Sequence, residues 1–216
     1  MKRFYLIIIL VIPLLANSQY KDIYKESAWA ERDEWQEVPR ILEAMDISPN
    51  SVVADLGCHQ GYMTVKLAEE LTSGKIYAID IDSWKLEKLE DLLVERGLSE
   101  QVEVIEGEED NPKLPIGELD AVLIMDTYHE MDDYMEILSH VKTSLKPGGR
   151  LVLIEPVAPE RESWSRKRQA DKHEVSIRYA CRDLQKAGFK IIHEENPFID
   201  RRDIKHDILW MLVAVK

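Results

Sequence analysis

Short apolar runs alternating with stretches of helical spacing constrain this chain more than any other feature. Ser51–Leu56, Lys75–Asp80, Val102–Ile105, Leu119–Met125 and Arg150–Ile154 are of strand length and lie between short connections. Between them, Thr64, Ala68 and Leu71 share one helical face, as do Leu86, Leu89 and Leu93 before Gly97. Tyr134, Ile137, Leu138, Val141 and Leu145 form a third amphipathic face, stopped at Pro147-Gly148-Gly149. Leu119–Met125 is apolar on both faces, as a parallel strand covered on both sides requires. Upstream, Trp35, Val38, Leu42 and Met45 predict a helix over 31–45. Downstream come a polar segment over 156–172, a helix over 174–187, and strands at Phe189–Ile192 and Ile208–Val215. A long polar connection joins these last two strands and permits an antiparallel pair. The sum is an α/β chain with an open, doubly wound, mostly parallel sheet and a C-terminal antiparallel hairpin. Such sheets bind ligands at the carboxyl ends of their strands.

The 216 residues carry 28 basic and 41 acidic side chains, a net charge of −13. That balance excludes a broad basic face and with it nucleic acid as the expected partner. Two cysteines, Cys58 and Cys181, exclude a disulfide scaffold and a four-cysteine zinc site; they are expected as unpaired thiols. At the N-terminus, Lys2 and Arg3 precede an apolar run from Phe4 to Ala16, then Asn17-Ser18-Gln19. This reads as a secretory signal over 1–18 cleaved after Ser18, the alternative being an uncleaved membrane anchor. The expected organisation is therefore a signal at 1–18, a helical segment at 19–45 and one domain at 46–216, exported and without a stable membrane span after signal removal.

The chemistry concentrates after the first strand, at Asp55-Leu56-Gly57-Cys58-His59-Gln60-Gly61. Gly57 and Gly61 allow a sharp turn and close approach to a ligand, and the next helix offers its free N–H groups. Asp55 suits a cationic amine. Asp80 closes the second strand, where a carboxylate holds the hydroxyls of a ribose. Together they indicate an adenosine-containing cofactor. The loop lacks the Gly-x-Gly-x-x-Gly of dinucleotide sites, having His59 and Tyr62 at the later glycine positions, and no Gly-Lys-Ser/Thr marks a P-loop.

These residues resemble the class I S-adenosylmethionine-dependent methyltransferases over roughly 31–216. Asp55–Gly61 is similar to their first motif, Ile79-Asp80-Ile81-Asp82 to the second-strand segment, and Gly107-Glu108-Glu109-Asp110 to the adenine-side acidic loop. Leu145–Ile154 resembles the segment leading into the fifth strand. His59 departs from the pattern by replacing the middle glycine. A narrower resemblance, to bacterial members with Trp-Gln before the first strand and Tyr-His-Glu after the fourth, rests on Trp35-Gln36 and Tyr128-His129-Glu130. The resemblance implies a Rossmann-like, seven-stranded fold, S-adenosyl-L-methionine as cofactor, and transfer of its methyl group to a small-molecule acceptor. It implies cofactor contacts at Asp55, Gly57, Cys58, Gly61, Asp80, Ile81, Glu108, Asp110 and Asp126.

His129 is the candidate general base for an acceptor that must lose a proton, and Tyr128 a candidate wall against the methyl group. His173, ahead of the sixth helix, either covers the pocket or lies on the surface; His140, His193 and His206 read as structural. A metal site from His59, His129 and His173 has no close ligand spacing such as His-Glu-x-x-His, so no metal is expected. Arg161, Arg166, Lys167 and Arg168 read as a solvated helix face or, alternatively, as a recognition patch for an acidic acceptor. Competing with the enzyme are a non-catalytic binder of S-adenosylmethionine or adenosine and, behind it, an NAD-dependent oxidoreductase.

Overall fold

The computed structural model describes residues 23–216; the N-terminal apolar run and the expected cleavage site after Ser18 lie outside them. Seven strands form one sheet: β1 Val52–Leu56, β2 Lys75–Asp80, β3 Val102–Glu106, β4 Leu119–Met125, β5 Leu145–Val157, β6 Lys190–Asp200 and β7 Ile208–Val215. Their order is β3-β2-β1-β4-β5-β7-β6. β1 to β5 run parallel, and β7 is antiparallel to both β5 and β6. The chain winds outward from β1 to β3 and then crosses to β4 on the other side of β1. The gap between the carboxyl ends of β1 and β4 is therefore the topological switch point, where open α/β sheets bind ligands.

Alternation along the strands divides the core into two layers. Ala121 and Leu123 of β4 join Val53, Val152 and Met211 on one face, against helices α1 Trp29–Asp33, α2 Val38–Met45, α3 Tyr62–Glu70 and α4 Ser83–Arg96. Val122 and Ile124 join Ala54, Leu153 and Trp210 on the other, against α5 Tyr134–Ser144 and α7 Ile177–Lys186. The short α6 is Arg166–Ala170 and α8 is Arg202–Lys205. Among the described residues, no helix is long and apolar enough to cross a membrane.

The helix expected over 174–187 starts at Ile177, and three larger differences from the sequence reading follow. The helix expected over 31–45 is two helices, with Glu37 between them at a φ of 54°. Pro39 explains the break: a continuous helix would drive its ring against the carbonyl of Trp35, whereas the first turn of a new helix tolerates it. β5 begins at Leu145 rather than Arg150, because Pro147-Gly148-Gly149 forms an irregularity within its pairing to β4, not a loop. β6 is eleven residues long instead of the four of Phe189–Ile192. It is the edge strand, with β7 as its one neighbour, so charged Glu194 and Glu195 and the donor-less Pro197 fit where a central strand would reject them.

Leu123, fully buried in the middle of β4, tests this layering. Leu123→Ala is expected to lower the unfolding free energy by about 2–5 kcal/mol in urea denaturation, with an unchanged slope.

Candidate active site

The loop after β1 is shaped by two glycines in the left-handed region, Gly57 at φ 84° and Gly61 at φ 93°. A Cβ on Gly57 would lie 2.3 Å from Cγ2 of Thr127, and one on Gly61 2.4 Å from Cδ1 of Leu89. Alanine at either position is therefore opposed by backbone strain, and at Gly57 also by contact with the whole Thr127 side chain. The N–H groups of Gly57 and Cys58 both donate to the carbonyl of Ile79, at 2.8 and 2.9 Å, tying the loop to the end of β2.

Asp80, at that end, accepts from the backbone N–H of His59 at 2.9 Å and of Asp82 at 3.0 Å, one on each carboxylate oxygen. His59 adopts φ 52°, a conformation the family pattern assigns to glycine. Its Nδ1 is buried without a hydrogen-bond partner among the described residues, and burial, with Lys85 nearby, lowers its pKa to about 4. The ring of Tyr24 lies 4.8 Å from the His59 ring. Asp55 sits beneath, buried and accepting from the Thr64 hydroxyl at 2.7 Å; burial raises its pKa to about 6 despite that bond and Arg32. Cys58 and Cys181 are both free thiols, and burial pushes Cys58 well above the ordinary thiol range.

Beside Asp80, Ile81, Gly107, Glu108, Glu109, Asp110 and Asp133 line an open groove of about 510 Å³. Ile81 is 59% exposed on its wall, a bare apolar surface next to carboxylates. A larger hollow of about 690 Å³ lies around Lys142, Lys186 and Lys216, at the amino ends of the parallel strands, where β7 ends beside the first half of β5. It includes none of the residues singled out in the sequence.

The loop after β4 is organised by a residue the sequence reading passed over. Glu155, near the end of β5 and fully buried, accepts from the backbone N–H of Thr127 and of Tyr128, each at 2.7 Å, through Oε1. Its Oε2 lies 2.6 Å from Nδ1 of His129. Burial alone would depress the His129 pKa; Glu155, Asp126 and Glu130 outweigh it and raise the value to about 9. In the chain as it stands, His129 is thus an imidazolium at neutral pH rather than a ready proton acceptor. Tyr128 differs from the expectation that it walls the methyl position. It is fully buried in the second core layer, with its hydroxyl on Asp183 at 3.0 Å and Arg166 stacked over its ring.

Asp126 adopts φ 56° and accepts from the Tyr24 hydroxyl at 2.7 Å. Burial acts to raise its pKa, but Arg201, His129 and Lys205 bring it down to about 2. Arg201 is itself buried and forms a two-pronged pair with Asp207, both bonds at 2.9 Å. Arg32, also buried, donates to Gln36 at 3.0 Å and stacks 4.0 Å over the Tyr62 ring. Tyr24, Arg32 and Arg201 carry no local motif; the one signal in the sequence, for the two arginines, is that cations this close to apolar runs require partners.

In the polar segment over 156–172, Lys167 and Arg168 lie on an exposed face as expected, whereas the half-buried Arg161 and Arg166 belong to a built cap. Arg161 holds the buried Glu174 at 2.9 Å through Nε, Arg166 pairs with Asp183, and Arg168 stacks 4.0 Å over Trp164. The fully buried Gln169 donates to the carbonyl of Arg161 at 2.7 Å and accepts from the N–H of Ser176 at 3.0 Å. These bonds present His173, at φ 57°, edge-on to His129 with 5.6 Å between ring centres. Glu108 and Asp110 line the groove beside Ile81.

Comparison with known proteins agrees with this geometry. Residues 53–149 match the model of a methyltransferase domain. The chain is 32% identical over 104 residues to a probable cobalt-precorrin-6B C(15)-methyltransferase (decarboxylating) from Methanothermobacter thermautotrophicus, covering 48% of this chain and 52% of that one. It is 29% identical over 126 residues to a demethylmenaquinone methyltransferase from a Geobacillus species, covering 58% and 53%. The chain thus spans about half the length of these curated relatives. A crystal structure of an S-adenosylmethionine-dependent methyltransferase from Aquifex aeolicus superposes with a TM-score of 0.70 at 21% identity, covering 83% of this chain and 89% of that one. The likeness shows that the chain has the seven-stranded, mostly parallel methyltransferase fold with a C-terminal antiparallel hairpin.

Two measurements test the electrostatics. Glu155→Ala strands three donors around a buried void and is expected to cost about 3–5 kcal/mol in denaturant unfolding, with Glu155→Gln costing less. Asp55 has a folded pKa above its unfolded value, so it binds its proton more tightly when folded. Its penalty is present above about pH 6 and disappears as pH falls toward the unfolded value near 4. Without ligand, Asp55→Asn is expected to be more stable than wild type at pH 7.5 by up to about 3 kcal/mol, the difference closing toward pH 4.

Proposed function

We propose that this chain transfers a methyl group from S-adenosylmethionine to a small-molecule acceptor. The observation that carries the reading is the convergence at one sheet edge of the glycine loop, the Asp80 carboxylate and the groove of Ile81 and Gly107–Asp110. The donor set fits the cofactor. Each Asp80 oxygen takes one backbone N–H and keeps a second acceptor position, which suits the two hydroxyls of a ribose. Ile81 supplies an apolar surface for the adenine, Glu108 or Asp110 an acceptor for its amino group, and Asp55, Gly57, Cys58, Gly61 and Asp126 surround the amino-acid end. Nδ1 of His59, buried within this loop without a hydrogen-bond partner among the described residues, supports a polar ligand there.

When bound, the cofactor supplies an electrophilic methyl group on a sulfonium centre. The chain's own contribution is alignment and charge. Asp126 stays ionised among its cations and favours a positively charged ligand. Glu155 fixes the His129 ring, which acts toward an acceptor as a hydrogen-bond donor and takes up a proton only after it has given one away. Alignment of acceptor and methyl group supplies much of the rate in such a displacement. The named substrates of the two relatives, a precorrin and a demethylmenaquinone, are both small molecules of unlike chemistry, which supports the acceptor's size class and no single identity.

Calorimetry tests this directly. S-Adenosylmethionine and S-adenosylhomocysteine are expected to bind, with Asp80→Ala weakening both at least about tenfold, roughly 1.4 kcal/mol, and NAD not binding. Absence of binding overturns the proposal. Binding without methyl release across an acceptor panel transfers it to the non-catalytic reading. We also propose that the chain is exported, from Lys2, Arg3 and the apolar run that follows. Intact-mass measurement on the protein from cell fractions is expected to show a chain starting at Gln19 outside the cytoplasm; an intact Met1 chain in the membrane fraction would establish an anchor instead.

A further inference from the structure

Folding gathers a ligand set that sequence spacing conceals. Nε2 of His129 lies 3.8 Å from Oε1 of Glu130, and Nδ1 of His173 lies 3.3 Å from that same oxygen. All three ligand atoms fall within 4.8 Å of one another. Neighbouring ligands around a tetrahedral zinc ion stand about 3.3 Å apart, given bond lengths near 2 Å. The Glu130 and His173 side chains are more than half exposed, so the last ångström of contraction is open to them.

We propose that His129, Glu130 and His173 bind one divalent transition-metal ion of the zinc type, with a fourth position open to water or to an oxygen of the acceptor. Three features argue for it beyond proximity. Two imidazoles and one carboxylate form a donor set that suits zinc and its neighbours and disfavours magnesium or calcium, which prefer oxygen. The Nδ1 of His129 is engaged by the buried Glu155 at 2.6 Å, the carboxylate–histidine arrangement that orients metal-binding imidazoles, and the ion takes the place of the proton that Nε2 carries in the metal-free chain, releasing it to solvent. His173 is not a loose surface residue: the buried Gln169 and Glu174, with Arg161, fix the turn that carries it. His59, considered with these residues from the sequence, lies outside the group. The open position adjoins the loop after β4. An acceptor oxygen held there would be oriented and made more acidic, a role that rests on the proposed methyl transfer, whereas the ion's binding does not.

The test is calorimetric titration of the full, chelator-treated protein with Zn²⁺ in excess Mg²⁺, repeated with Co²⁺ to read its visible absorption. The expected result is one ion per chain, with His173→Asn and Glu130→Gln each weakening binding at least about 100-fold, Glu155→Gln weakening it about 10–100-fold, and His140→Ala leaving it unchanged. Asn at 173 keeps the left-handed backbone accessible, and circular dichroism of each variant checks that the fold is retained. Zinc binding that Mg²⁺ displaces, or that survives His173→Asn, overturns the proposal. S-Adenosylmethionine affinity is measured separately on the same samples, so loss of the metal site and loss of the cofactor site are read independently.

Discussion

One buried carboxylate holds the centre of this molecule in register. Glu155 closes the apolar run of β5 with a negative charge that water does not reach, and such a charge survives only among donors that answer it. It has three: two consecutive backbone N–H groups of the loop after β4 and the ring of His129. Thr127, placed by this bond, packs so closely on Gly57 that the loop after β1 has no alternative to glycine there. The two loops of the switch point are thus one unit, and the cofactor-side turn inherits its shape from a residue on a strand two places away.

Around that unit the charges are unusually dry for a chain so acidic. Asp55, Arg32, Arg201 and Asp207 are buried and Asp126 is half-buried, and each acid is answered differently. Asp126 has cations and remains ionised. Asp55 has chiefly a hydroxyl and is pushed toward its neutral form. Two carboxylates at the ends of adjacent strands therefore titrate in different ranges, Asp55 taking up its proton as pH falls through about 6 while Asp126 stays ionised, a distinction that burial and partners create and residue type does not.

The centre of the sheet was legible in the sequence because both faces of β1, β2 and β4 are covered, and covered strands leave continuous apolar runs. The edge was not: β6 alternates with charged residues and carries a proline, which resembles a loop when no partner is visible. Pro39 marked the break between α1 and α2, but the apolar spacing from Trp35 to Met45 overrode it. In the site, Gly57, Gly61 and Asp80 stood out because turns and strand ends have local signatures. Glu155 had one too, a lone acid ending Leu-Val-Leu-Ile, although nothing in the chain's order says which loop it will meet. Tyr128 misled because adjacency to His129 suggested a shared pocket, while successive residues of a tight turn point to different layers. Arg201 and His173 act through partners far along the chain, Asp126 and His129, and only the folded topology reveals such pairs.

The meeting of Tyr24 and Arg201 around Asp126 bears on the order in which the molecule becomes complete. One comes from the first described turn of the chain and the other from just before its last strand. A chain synthesised from its N-terminus holds the glycine loop and β4 long before Arg201, the cation that acts most strongly on Asp126, exists. Until β7 is delivered, that carboxylate has to stay hydrated, and the pocket around it stays open. The last strand therefore acts as a latch on the site: a nascent chain carries every recognisable motif and still lacks a finished interior.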